Sequence, residues 1–278
     1  MLTHGSLFSG IGGFDLGFQW AGIKTIWQVE LDGYCRKVLE RHFPGATRFT
    51  DVREVHGIMA HANLNGTKRN KSQDGTRSRL KQGCENCLPP VDILSGGFPC
   101  QDISVAGKQT GIDGERSGLW SEFHRIIGEL RPRYVVIENV ANLVRLGLER
   151  VLSDLASIGY DAEWQIISAN DVGAPHLRKR IWIVAYPHGV RWIKNEDAGK
   201  NLRERRSLPQ KTWDFNGTSV GFENSDRLWC FPDTTLERNL DGFAYWVDRL
   251  ECCGNGVVPQ QSIPAWEEIK RLSSLAYG

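Results

Sequence analysis

No apolar run in this sequence approaches the ~20 residues that a membrane-crossing helix needs, so a bilayer-spanning protein is not expected. The N-terminal MLTHGSLFSGIGGF is apolar but has neither a basic start nor a small-residue cleavage site, which argues against a secretory leader. Neither sign of charge dominates: 34 Lys and Arg stand against 33 Asp and Glu, a net charge of +1. A polyanion could therefore be met only by local clusters of Lys and Arg. Disulfide-like spacing is missing too. The seven cysteines are an odd set, which points to a reducing cytoplasm. Cys84 and Cys87 form a CxxC in a polar loop, and the adjacent Cys252 and Cys253 are poorly spaced for zinc, so no metal is expected.

What is present describes a globular protein. At 278 residues, 40% hydrophobic and 24% charged, the chain sits near the upper limit of one core, and a main domain with a smaller lobe is expected. Residues 2–9 are an apolar run ending in glycines, and FDLGFQWAG follows with helical spacing: a strand, a tight turn and a helix. KTIWQVEL at 24–31 alternates like a second strand, and DGYCRKVLERHF reads as a helix. VDILSGGF at 91–98 and YVVIENV at 134–140 are buried strands, with the amphipathic SGLWSEFHRIIGELRP between them. LGLERVLSDLASIG is a helix closed by Gly159, and AEWQIISAND and RIWIVAY are two late strands. Strands alternating with helices predict an α/β fold with a mostly parallel sheet and helices on both faces.

Two segments break this rhythm. Residues 61–90 are polar and basic, with Lys68, Arg69, Lys71, Arg77, Arg79 and Lys81 against Asp74 and Glu85, and read as a solvated insertion loop in preference to a DNA-touching one. Residues 187–245 mix aromatics with charge and form a small irregular lobe. PAWEEIKRLSSLA regains amphipathicity and is expected to pack back on the main sheet. The main domain then comprises residues 1–186 plus 246–278.

The first strand–turn–helix carries Phe8, Gly10, Gly12 and Gly13, but the position of a third dinucleotide-type glycine holds Asp15. A nicotinamide dinucleotide is thereby disfavoured. Glu30 ends the second strand, where a carboxylate can accept from two ribose hydroxyls, and Asp51 could accept from an adenine amino group. Alone, each acid is a surface residue. Together with the glycine turn they favour an adenosine ligand without a pyrophosphate, a description that S-adenosylmethionine fits.

Five short motifs occur in order: the glycine turn from Phe8 to Gly13, Pro99-Cys100-Gln101, Glu138-Asn139-Val140, His176 to Arg180, and Gly254 to Pro259. In that order they resemble the DNA (cytosine-5)-methyltransferases, across residues 1–186 and 245–278. The resemblance implies a Rossmann-like, S-adenosylmethionine-dependent fold and a base flipped from DNA. Carbon 5 of cytosine is too weak a nucleophile to take a methyl group unless a thiolate first adds to carbon 6. Cys100, on a turn after a strand, suits that task, because a helix start and nearby cations can lower a thiol's pKa there. By resemblance, Glu138 contacts N3 and the exocyclic amine of the base, Arg180 its O2, and Arg178 the surrounding network. The family has Gln where this chain has His176. Phe8, Gly10, Ile11, Gly13, Glu30, Asp51, Val52, Phe98, Leu119 and Asn255 are assigned to the cofactor, and Gln101 and Ser104 to a loop that closes over DNA.

A base inside a duplex cannot present carbon 6 to a thiol, so it must be extruded while phosphates and neighbouring bases are held. The lobe at 187–245 supplies Arg203, Arg205 and Arg206 as DNA contacts and serves as the target-recognition element. The reading is thus a monomeric bacterial or phage modification enzyme acting on double-stranded DNA, with a cognate restriction endonuclease as a possible partner. The alternatives are a relative that methylates cytosine in RNA and a non-catalytic DNA-binding homologue. The PCQDIS context and the basic lobe favour DNA over RNA. A binding-only homologue would be expected to have dropped Cys100, Glu138 or an arginine of 178–180, and all are present.

Overall fold

The structure, a computed structural model, describes residues 1–58, 85–99, 119–172, 177–189 and 256–277. β1 (Thr3–Leu7), α1 (Gly13–Trp20), β2 (Lys24–Val29), α2 (Gly33–His42) and β3 (Thr47–Phe49) come first. β4 (His56–Gly57) and β5 (Cys87–Leu88) pair in parallel as a separate small sheet. β6 (Ile93–Gly96), α3 (Leu119–Leu130), β7 (Tyr134–Val140), α4 (Leu143–Leu146), α5 (Leu148–Ser157), β8 (Tyr160–Ile167), β9 (Arg180–Pro187) and α6 (Ile263–Tyr277) follow. The expected insertion loop, apart from residues 85–90, and the expected lobe at 187–245, apart from its first three residues, lie outside the described residues.

The main sheet has seven strands in the order β3-β2-β1-β6-β7-β9-β8. The first five are parallel, while β9 runs antiparallel to both β7 and β8. The expected mostly parallel α/β sheet is therefore the observed one, closed on one side by an antiparallel pair. β8 and β9 pair in antiparallel register from Tyr160↔Pro187 to Ile167↔Arg180. β3 and the small β4–β5 sheet had no periodicity to announce them, because strands of two or three residues are shorter than any pattern.

β7 shows why the central strands read as unbroken apolar runs. Val135 and Ile137 face one layer, with Phe123, Ile126, Ile127 and Leu130 of α3 and Val151 and Leu155 of α5. Tyr134 and Val136 face the other, with Phe14 and Phe18 of α1 and Ala265, Ile269 and Leu272 of α6. A sheet covered on both faces needs apolar side chains at every position. α6 does return to the main sheet. None of the helices among the described residues is long and apolar enough to cross a membrane.

α1 is pressed against the C-terminal segment. A Cβ on Gly17 would stand 2.0 Å from Ser262 Oγ and 2.7 Å from Pro259 O, and one on Gly13 would stand 2.2 Å from Val257 O. Polar groups also lie under the helix. The His4 ring sits 2.8 Å from Thr25 Oγ1 and 2.7 Å from Ser95 Oγ. Burial holds it neutral, with its pKa lowered to about 3. Asp15, the residue that broke the dinucleotide pattern, is fully buried and accepts from Gln28 Nε2 at 2.9 Å. Burial pushes its carboxyl up to about 6, against hydrogen bonds that pull it down.

Two outcomes are expected. In an exposed helix Gly→Ala gains about 1 kcal/mol, but Gly17→Ala should lower stability by about 1–3 kcal/mol through overpacking; an unchanged or higher melting temperature would show that the C-terminal segment does not rest on α1. Asp15 binds its proton more tightly folded (about 6) than at its ordinary 3.8. Its contribution to stability is therefore full below pH 4 and is lost as pH rises to about 6. Asp15→Asn should raise neutral-pH stability by about 1–3 kcal/mol and remove that slope. His4 contributes the opposite slope in both proteins, so the difference between their pH-dependent unfolding curves isolates Asp15. Identical curves would sink the assignment.

Candidate functional site

The chain leaves β1 towards β2 and β3 and leaves β6 towards β7, so a crevice opens at the carboxyl ends of β1 and β6, where open α/β sheets bind ligands. After Leu7 the backbone turns through three left-handed residues, Phe8 (φ 52°), Gly10 (φ 54°) and Gly12 (φ 90°), before α1 starts at Gly13. Glycine adopts such angles freely. The turn is tied to its neighbour: Ser9 N donates to Val29 O at 3.1 Å, and Gly10 N donates to Glu30 Oε2 at 2.7 Å.

Glu30 holds this corner together, since its Oε1 also accepts from Asp32 N at 2.8 Å. Burial raises its carboxyl above the usual range, while the Asp32 and Gly10 N–H groups pull it down. One strand further out, Asp51 accepts from Arg53 N and Nε, both at 2.9 Å. That bonding holds the Asp51 carboxyl below its usual range. Val52 and Phe98 are buried in the core beside Trp120, and Phe8 and Leu119 pack partly against it. Sequence reasoning missed the residue that fixes this corner. Arg125 of α3 donates to Val52 O at 3.1 Å and Val55 O at 2.9 Å, and is itself held by Glu122 and Glu129. On the polar side of an amphipathic helix, nothing in the pattern separates such an arginine from a solvated one.

Glu138 lies near the end of β7 and is 8% exposed. Arg180, the first residue of β9, places its Nε 2.9 Å from Glu138 Oε1. Burial raises the Glu138 carboxyl, and the charges of Arg180 and then Arg178 offset part of that rise. Burial favours a carboxyl that can hold or share a proton, and the flanking cations limit that rise. The neighbouring strand crowds it, since a Cβ on Gly97 would stand 2.9 Å from Glu138 Oε2. Asn139 Nδ2 donates to Phe98 O at 3.1 Å, and Asn139 Oδ1 accepts from Val140 N at 2.8 Å. The backbone entering Pro99 is thus fastened beside Glu138.

The spacing of Arg178 and Arg180 predicts two side chains on one face of a strand. The structure brings both charges to Glu138 by another route. Arg178 precedes β9 with φ 27°, so a turn and not strand alternation delivers it. Glu138, Arg178 and Arg180 form one cluster, and Phe8, Gly10, Gly13 and Glu30 with Asp51 and Val52 form the adjoining one. Cys100, Gln101, Ser104, His176, Asn255, Arg203, Arg205 and Arg206 lie outside the described residues. No group of three or more His, Cys, Asp or Glu among the described residues is placed to hold a metal ion.

The model of the C-5 cytosine-specific DNA methylases matches residues 2–219. The chain is 34% identical over 251 residues to the Type II methyltransferase M1.ScrFI of Lactococcus lactis subsp. cremoris, covering 86% of this chain and 56% of that protein. It is 30% identical over 227 residues to the Type II methyltransferase M.AquIA of a Picosynechococcus strain, covering 74% and 84%. The chain spans about half the length of many of its curated relatives, between 41% and 56% in several. Among solved structures, the S. pombe Dnmt2 methyltransferase superposes with a TM-score of 0.52 at 16% identity, covering 77% of this chain and 57% of that one, a likeness of fold. With more than half its length matched by the family model, the chain belongs to the C-5 cytosine-specific DNA methylase family.

Proposed function

We propose that this chain transfers a methyl group from S-adenosylmethionine to carbon 5 of a cytosine flipped out of double-stranded DNA, through a covalent adduct between Cys100 and carbon 6. The observation that carries the reading is the buried Glu138–Arg180 pair, 2.9 Å apart, beside the backbone that leads through Phe98 and Pro99 into Cys100.

The residues present fit the cofactor. Three left-handed residues in a five-residue turn bring backbone close to a ligand, and Glu30 and Asp51 end adjacent strands. The carboxylate of Glu30 suits ribose hydroxyls, that of Asp51 suits the adenine amine, and Val52 and Phe98 supply apolar surface; Asn255 completes the set from the C-terminal segment. Bound there, S-adenosylmethionine supplies an electrophilic methyl group and leaves as S-adenosylhomocysteine.

On the cytosine side, the Cys100 thiolate adds to carbon 6, forming an S–C bond and pushing the ring's electron pair onto carbon 5. Glu138 shares a proton with N3 as charge builds in the ring, a role its raised pKa and dry setting favour. Arg180 holds Glu138 in place and reaches the base's O2, and Arg178 adds positive charge to the same network. After transfer, water takes the carbon 5 proton, and the electron pair left behind reforms the carbon 5–carbon 6 double bond and expels the Cys100 thiolate. Gln101 and Ser104 belong to the closing loop, and the lobe at 187–245 with Arg203, Arg205 and Arg206 reads the flanking sequence. A modification enzyme of this kind acts as a monomer in the cytoplasm of a bacterial or phage-infected cell, and a cognate restriction endonuclease is the partner it would pair with.

Base-resolution mapping of mixed-sequence duplex DNA after incubation with S-adenosylmethionine should show 5-methylcytosine within one short motif. Methylation confined to RNA, or none at all, would overturn the reading. Cys100→Ser should abolish turnover and leave cofactor binding nearly intact in equilibrium dialysis. Glu138→Gln should slow single-turnover methyl transfer by about a hundredfold or more, the scale of a general acid–base group; unchanged kinetics would move the proton to another residue.

A further inference from the structure

Arg178 adopts φ 27°, a backbone angle that residues with a side chain rarely take. Such an angle persists only where the surroundings over-determine it. Here they do. The carbonyl of the preceding residue, Leu177, accepts from Ala169 N at 2.8 Å and from Ser168 Oγ. The carbonyl of Arg178 itself accepts from Gln261 Nε2 at 3.1 Å, and the same nitrogen donates to Ile167 O at 2.9 Å. In return, Arg178 Nη2 donates to Gly256 O at 2.6 Å. Residues 256–262 therefore grip Arg178 at its backbone and at its guanidinium.

The grip is buried and comes at a cost. Gln261 is 1% exposed, and its Oε1 has no hydrogen-bond partner among the described residues. An unmatched buried acceptor is unfavourable, so what favours an amide over an apolar side chain of similar size is its N–H donors. The same short strap abuts the cofactor side, where Val257, Pro259 and Ser262 fill the space left by Gly13 and Gly17 of α1. It thus stands between the helix that follows the glycine turn and the arginine that faces Glu138.

We propose that Gln261 is a positioning residue for methyl transfer: bridging Ile167 and Arg178, with Gly256 taking the guanidinium, it sets Arg178 where its charge reaches Glu138. This assignment rests on the reading of the site given above. Glu138 is faced by Arg180 from β9 and by Arg178 from the turn before it, and both charges lower its pKa.

The test is Gln261→Met, which keeps the volume and removes both donations. The Glu138 carboxyl is followed by carbon-13 NMR titration in the full chain, with its signal assigned by Glu138→Gln. Its midpoint should move to higher pH as Arg178 shifts away, and kcat should fall about tenfold to a hundredfold, the scale of a small misplacement in an active site. A merely structural role would lower the melting temperature and leave the midpoint where it is, and that result would overturn the proposal. Should Gln261→Met not fold, Gln261→Asn, too short to reach both carbonyls, carries the same expectations. A raised midpoint in a protein whose wild type methylates neither DNA nor RNA would sink the methyltransferase reading and uphold the hold of Gln261 on Arg178.

Discussion

Parallel strands put their carboxyl ends on one edge of a sheet, and the chemistry-bearing residues described here depend on that alignment. β1 delivers the glycine turn, β2 delivers Glu30, β3 leads to Asp51, β6 leads to Phe98 and Pro99, and β7 carries Glu138. Were any of these strands reversed, its functional residue would lie at the opposite edge. The exception proves useful. β9 runs antiparallel to β7, so its first residue, Arg180, arrives at the edge where β7 ends, and a cation meets Glu138 across a register that a parallel strand would not provide.

Close approach is the second constraint. Gly97 leaves room for the Glu138 carboxylate, and Gly13 and Gly17 leave room for the C-terminal segment. That segment, distant in the chain, is held to the strands by α6, whose Ala265, Ile269 and Leu272 join the α1 side of the core. Apolar packing of the last helix thereby supports the polar contacts at Arg178. The polar groups buried under α1, His4 with Thr25 and Ser95 and Asp15 with Gln28, tie the central strands to each other and to the helix without reaching the crevice.

Much of this was legible along the chain. The central strands announced themselves because burial on both faces demands apolar runs, and the helices because one face of each is apolar. The glycine turn, Glu30 and Glu138 were legible because each directly follows or ends such a strand, where the chain must emerge at an edge. Arg178 was picked out by the family resemblance, and its spacing from Arg180 suggested a shared strand face; instead a left-handed residue before β9 brings it in, and no local pattern encodes that turn. Arg125 and Gln261 gave no signal at all. One looks like a solvated helix residue and the other like loop composition, and only long-range partners at Val52, Val55, Ile167 and Arg178 give them roles.

The sequence by itself determined the α/β class, the main strands in chain order and the family, and it proposed the candidate residues, because periodicity and short motifs are local properties of the chain. The tertiary structure decided which way the late strands run, how Arg180 meets Glu138, why Asp15 stands where a dinucleotide turn has glycine, and what holds Arg178 in a strained angle. Those depend on contacts between residues far apart in the chain, and such contacts are fixed by packing and by the need to satisfy buried polar groups.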